Sequence, residues 1–161
     1  MGGKIMDKIQ IYCDGACRGN QHENNIGAYG IVLEYKGMTR EFDGVGHNTT
    51  NNIMELTAII TALKLLKKKD IPIEVYSDSQ YVTDGINSWI KKWRKNNWMT
   101  STKTPIANRE LWQELLALKE SFTDITIIKV KGHASNAGNN RADELCNIAM
   151  NEYIATSQEA L

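Results

Sequence analysis

Four acidic residues, Asp14, Glu55, Asp78 and Asp143, lie far apart in a chain of 161 residues, each beside an apolar segment. Asp14 and Asp78 follow the runs "KIQIYC" and "IPIEVYS". Glu55 stands one residue before Leu56 and four before Ile59, on the border of an apolar helical stripe, a poor place for an unpaired charge. Asp143 and Glu144 open the last helical pattern, where acids complement exposed N–H groups by roughly 0.3–1 kcal/mol. An Asp at a strand end is also an ordinary turn residue. Taken singly, each acid has a structural explanation.

Gathered in one place, they would need a different one. Two carboxylates about 4 Å apart repel by about 1 kcal/mol in water and about 4 kcal/mol at an effective dielectric of 20. Such a cluster requires a cation. Oxygen ligands without His or Cys select a hard ion, and Mg²⁺ commonly takes one or two carboxylates while keeping positions for water and substrate phosphate. Two ions roughly 3.5–4 Å apart suit in-line phosphodiester hydrolysis.

The surrounding pattern must bring the acids together. Residues 8–13 alternate as a first strand, with Asp14 at its carboxyl end and a turn at "DGACRGN". "AYGIVLEY" and "TREFDGV" flank Lys36-Gly37 as a hairpin, with the glycine supplying the positive φ. Leu56, Ile59, Ile60, Leu63 and Leu66 define a helix capped by Thr50 or Asn51 and ending near Lys69. A strand then ends at Asp78, so strand, helix and strand form a parallel crossover in a mixed sheet. In open α/β sheets, ligands sit beyond such strand ends. Helical patterns follow in "SQYVTDGINSWIKKWRKNN", broken at Gly85, and in "NRELWQELLALKESF". "DITIIKVKGH" is a fifth strand, and a last helix runs from about 140 to 155.

The length suits one α/β domain able to bury about two-thirds of its unfolded surface. Cys13, Cys17 and Cys146 have neither disulfide nor zinc spacing, which points to a reducing compartment. Met6 stands where a myristoylation signal carries Ser or Thr, and neither a membrane span nor a secretion signal is evident. The expectation is a soluble cytoplasmic protein. Nineteen basic and nineteen acidic residues balance, but Gly85–Arg109 contains six Lys or Arg and no Asp or Glu. Within it, Ile86, Trp89, Ile90 and Trp93 form an apolar stripe while Lys91, Lys92 and Lys95 point elsewhere, either a solvated face or a basic surface for phosphates.

"YCDGACRGN", "TTNNIMEL", "YSDSQYV", "KVKGHAS" and "NNRADEL" occur in the order and at nearly the separations of the bacterial type 1 ribonuclease H family, which this chain resembles from about Lys8 to Ala155. The resemblance implies a five-stranded mixed sheet of order 3-2-1-4-5, strand 2 antiparallel, flanked by helices. It implies hydrolysis of the RNA strand of RNA/DNA hybrids, leaving 5′-phosphate and 3′-hydroxyl ends. Asp14, Glu55, Asp78 and Asp143 become ligands for two Mg²⁺ ions, with Mn²⁺ as a substitute, and His133 assists proton movement at the attacking water or departing product. The segment with Trp89, Lys91, Lys92, Trp93 and Lys95 resembles the family's basic protrusion, which lies against the DNA strand. Hybrid contacts map to Gly15, Cys17 and Asn20, to Asn51 and Asn52, and to Gln80, with Thr50 and Asn108 at a DNA phosphate. Short amides and backbone donors suit 2′-hydroxyls in a shallow groove, so base preference should be weak.

Two departures stand out. The loop "QHENNIGAYG" is longer than the Gly- and Pro-rich loop of many relatives, and Asn48 and Ile53 replace Arg, which predicts reduced substrate affinity with unchanged chemistry. Other nucleases of the same fold would retain the acids without the basic Trp helix or the "KGHAS" loop. A hybrid-binding module without activity would have lost an acid, and a domain cut from a reverse transcriptase fits the complete basic helix less well. A free-standing monomer is the expectation.

Overall fold

The computed structural model of the chain describes residues 7–19, 25–131 and 136–159, with residues 158 and 159 described by backbone alone. The elements are β1 (Ile9–Arg18), β2 (Ile26–Tyr35), β3 (Met38–His47), α1 (Asn51–Leu65), β4 (Ile73–Ser77), α2 (Gln80–Asp84), a π-helical turn (Gly85–Trp89), α3 (Ile90–Lys95), α4 (Arg109–Glu120), β5 (Ile125–Lys129) and α5 (Ala137–Glu159). The sheet order is β3-β2-β1-β4-β5, with β2 antiparallel to both neighbours and β1, β4 and β5 parallel.

Alternation along β1 divides the core in two. Ile9, Ile11 and Cys13 face α1 and pack with Leu56, Ile59 and Leu63. Tyr12 faces the other way and packs with Val32, Ala142 and Leu145 beneath α5. Asp14, two residues beyond Tyr12, therefore belongs to the α5 face. α1 begins with Thr50 extended at φ −132°, its side chain accepting from the Ile53 N–H at 3.1 Å. Asn51 is thus the first helical residue rather than the cap.

Several boundaries differ from those expected. β1 does not stop before Asp14: its pairing with β2 continues to Arg18↔Ile26, while parallel pairing with β4 ends at Tyr12↔Tyr76. Asp14 stands where the sheet opens on one side. α1 ends at Leu65, because Leu66 turns extended and packs against the core. In the β2–β3 turn Lys36 shares the positive φ with Gly37, at 50° and 77°. α5 starts earlier than expected, so Asp143 is its seventh residue, outside the first turn.

Gly85 does not break its helix. The chain passes through it in one π turn, with the Ile90 N–H bonding Gly85 O, and continues into α3. A Cβ at Gly85 would overlap the ring of fully buried Trp112. Gly85→Ala is therefore expected to destabilise the fold by about 1–3 kcal/mol, lowering Tm by roughly 2–4 °C per kcal/mol in a chain of this size. Thermal unfolding followed by circular dichroism measures it.

Candidate active site

The acids arrive from separate elements and meet where the pairing of β1 with β4 has ended. Asp14 is 6% exposed, and its Oδ1 accepts from the Gly15 N–H at 3.0 Å. Asp78 directly follows β4, held in a tight turn by the Ser79 N–H bonding Ser77 Oγ at 3.1 Å. Glu55 comes from the first turns of α1. It reaches β1 because Gly15 has no side chain: a Cβ there would overlap the Met54 carbonyl group and the Glu55 nitrogen. Behind them, the Cys146 thiol points to Asp14 O at 3.4 Å, tying α5 to β1.

Carboxylate oxygens of Asp14, Glu55 and Asp78 all lie within 4.8 Å of one another. Asp143 reaches Asp14 but does not stand within that limit of all three. Among the described residues, no lysine or arginine pairs with any of the four. Burial pushes the Asp14 carboxyl up to about 7, with the negative charge of Asp78 adding to the effect. Glu55 is pushed up to about 10 by burial, then by Asp14 and Asp78.

The donor set fits a hard divalent ion. It offers only oxygen ligands, three come within one ion's reach, and the negative charge lacks a protein counter-ion among the described residues. A divalent ion would offset the repulsion that burial and the neighbouring carboxylates impose on Asp14 and Glu55.

The chain matches the RNase H family model over residues 6–151. The chain belongs to the RNase H family. A ribonuclease H of Clostridium botulinum is 52% identical over 149 residues, spanning 92% of this chain and 99% of that protein. Among solved structures, LC9-RNase H1, described as a type 1 RNase H with the type 2 active-site motif, superposes with a TM-score of 0.78 at 28% identity, covering 92% of this chain and 74% of that one. LC11-RNase H1, solved in complex with an RNA/DNA hybrid, superposes with a TM-score of 0.70 at 26% identity, covering 91% and 99%. The sheet order and flanking helices expected from the sequence are those of these RNase H structures.

The other candidate positions of this RNase H chain lie on β1, at the starts of α1 and α2, along the π turn and α3, and just before α4. Gly15 and Cys17 lie on β1 past Asp14, with the Cys17 thiol directed at Thr49 O at 3.7 Å. Thr50, Asn51 and Asn52 are exposed at the start of α1, and Gln80 is exposed at the start of α2. Lys91, Lys92 and Lys95 are exposed, whereas Ile86 and Ile90 are buried. Trp93 packs on Trp112 with ring centroids 5.2 Å apart, and Trp89, 37% exposed, forms the outer edge of that cluster. Asn108 has φ 59°, and its Nδ2 donates to Tyr81 Oη at 3.1 Å. Asn20 and His133 lie outside the described residues.

Tyr81 was not legible in the sequence as a partner of Asn108. Its hydroxyl also accepts from Trp112 Nε1 at 3.0 Å, so it orients Asn108 across 27 positions of sequence. No local pattern signals such a contact. The same is true of Arg141, which makes two bonds to Glu41, at 2.6 and 3.0 Å, and fastens the α5 turn that carries Asp143 to β3.

Proposed function

We propose that this RNase H chain hydrolyses the RNA strand of RNA/DNA hybrids, using Asp14, Glu55, Asp78 and Asp143 as ligands for Mg²⁺, with two ions engaged when substrate is bound. The observation that carries the proposal is the close, cation-free grouping of Asp14, Glu55 and Asp78. When bound, the ions supply an activated water and neutralise charge developing at the phosphate. The chain's own contribution is to hold the acids in place: the Gly15 contact fixes Glu55 against Asp14, and Arg141 with Cys146 fixes α5. Asp14 and Glu55, whose carboxyls burial pushes upward, would have to release protons to hold the ions. His133 assists proton movement, and Mn²⁺ serves as a substitute for Mg²⁺. The working unit is a cytoplasmic monomer, and no helix among the described residues is long and apolar enough to cross a membrane.

The substrate reading is supported by the hybrid-bound relative and by the charge of the α3 region. Gly15, Cys17, Asn20, Asn51, Asn52 and Gln80 serve as contacts to the hybrid, while Thr50 and Asn108 take a DNA phosphate. The protrusion carrying Trp89 and Trp93 presents Lys91, Lys92 and Lys95 to the DNA strand. Each phosphate contact adds about 0.9 to the slope of log affinity against log salt. Replacing Lys91, Lys92 and Lys95 by alanine is expected to raise KM, reduce that slope by about 2–3, and leave kcat nearly unchanged. Steady-state kinetics at several salt concentrations measures all three.

The test of the function uses RNA/DNA, RNA/RNA and DNA/DNA duplexes labelled on each strand, with Mg²⁺ or with chelator. Cleavage confined to the RNA of the hybrid, requiring metal and leaving 5′-phosphate and 3′-hydroxyl ends, is expected. A hybrid that binds yet stays intact with both Mg²⁺ and Mn²⁺ would refute it.

A further inference from the structure

At the tip of β1 the chain holds a cation that the hydrolytic reading leaves without a task. Asp14, Ala16 and Arg18 alternate onto the α5 face of the sheet. Ala16 packs there with Cys146 and Met150. Arg18 reaches two successive turns of the same helix, its Nη2 donating to Asn147 Oδ1 at 2.7 Å and its Nη1 to Asn151 Oδ1 at 2.6 Å. Asn147 Nδ2 in turn donates to Asp143 O at 3.1 Å, which leaves only the amide oxygen of Asn147 for the guanidinium. One side chain thus joins Arg18 to the backbone of the α5 acid.

Both acceptors are neutral. Among the described residues no carboxylate pairs with Arg18. Two of its five N–H groups are engaged by these amides, and three remain for another acceptor. The guanidinium is therefore held in place without having its charge cancelled. A contact that served only to tie β1 to α5 would be stronger with an acid at 147 or 151, because hydrogen bonds between charged groups are about twice as strong as neutral ones.

We propose that Arg18 binds a phosphate of the RNA strand, to one side of the bond that is cut. This inference rests on the hybrid reading above and adds a contact to it. A planar guanidinium matches phosphate oxygens two at a time. Four residues separate Arg18 from Asp14, about 13 Å at strand rise, so its anion is not the one placed among the acids. The strand follows from the face of the sheet. Ile90 and Trp93 of the basic segment pack into the core on the α1 side, whereas Arg18 stands on the α5 side and meets the strand that the protrusion does not.

Affinity for a fluorescein-labelled RNA/DNA hybrid is read by anisotropy with the full chain in chelator, where nothing is cut, so the result does not depend on hydrolysis. Arg18→Ala is expected to weaken binding about tenfold at low salt and to reduce the slope of log affinity against log salt by about 1. Asn151→Asp, which would pair the cation where it stands, should lower affinity and slope likewise while leaving Tm equal or higher. A single methylphosphonate moved along each strand in turn should weaken the native chain at one RNA linkage to which Arg18→Ala is indifferent. The proposal is overturned if Arg18→Ala keeps the native affinity and slope, if Asn151→Asp leaves affinity unchanged, or if the linkage to which Arg18→Ala is indifferent lies in the DNA strand.

Discussion

Asp14→Asn is expected to reduce RNA-strand cleavage by about three orders of magnitude, equivalent to about 4 kcal/mol of transition-state stabilisation. Asparagine keeps the shape of the side chain and one acceptor oxygen but removes the charge that would hold a divalent ion. In the folded chain Asp14 is buried, faces Asp78 and Glu55, and has no cationic partner among the described residues. Its charge is therefore a burden to the fold when metal is withheld, and the neutral amide should leave Tm in chelator unchanged or higher. Asp78→Asn should behave alike. Opposite movement of rate and stability separates loss of a ligand from loss of the fold, and single-turnover cleavage beside thermal unfolding measures both. A variant that loses activity together with several degrees of Tm would instead mark Asp14 as structural.

The second large effect concerns metal and pH. The Asp14 and Glu55 carboxyls are both pushed upward by burial, so the folded chain retains protons that the unfolded chain has released. Their stabilising contribution is complete below the unfolded carboxyl range near pH 4, falls as pH rises through about 7 for Asp14, and falls further toward about 10 for Glu55. In chelator, Tm should decline between pH 5 and pH 9. Mg²⁺ binds the deprotonated acids, so its stabilisation should grow over the same interval. At a concentration one hundred times Kd the gain is about 2.7 kcal/mol, or roughly 5–10 °C in a chain of this size. Calorimetric scans with and without Mg²⁺ at several pH values measure it. Equal Tm with and without Mg²⁺ at pH 8 would show that the cluster takes no ion.

Much of the fold was legible because the period of apolar residues changes where the elements change. "KIQIYC" alternates and "LTAIITALKLL" repeats at helical spacing, and both become what those periods require. Strand ends were less legible, because a strand's length depends on its partners: β1 runs past Asp14 only because β2 pairs with it to Arg18. The π turn at Gly85 was hidden for a similar reason. Glycine normally signals interruption, whereas here its missing side chain accommodates Trp112, which lies 27 residues away.

The acids were legible as types at strand and helix ends, and the quoted motifs joined them into one set. What the pattern could not give was their grouping: Asp14, Glu55 and Asp78 form the compact triad, while Asp143, seventh in α5, stands outside it and influences Asp14. The supporting contacts were equally hidden, since Tyr81 to Asn108 and Arg141 to Glu41 join residues 27 and 100 positions apart.

The most direct measurement is X-ray anomalous scattering from crystals of the chain soaked in Mn²⁺. A peak bounded by carboxylate oxygens of Asp14, Glu55 and Asp78, and absent from crystals of Asp14→Asn treated alike, is the predicted result. Saturating Mn²⁺ that leaves no peak among those oxygens, while the same preparation still cuts the RNA of a hybrid, would contradict it.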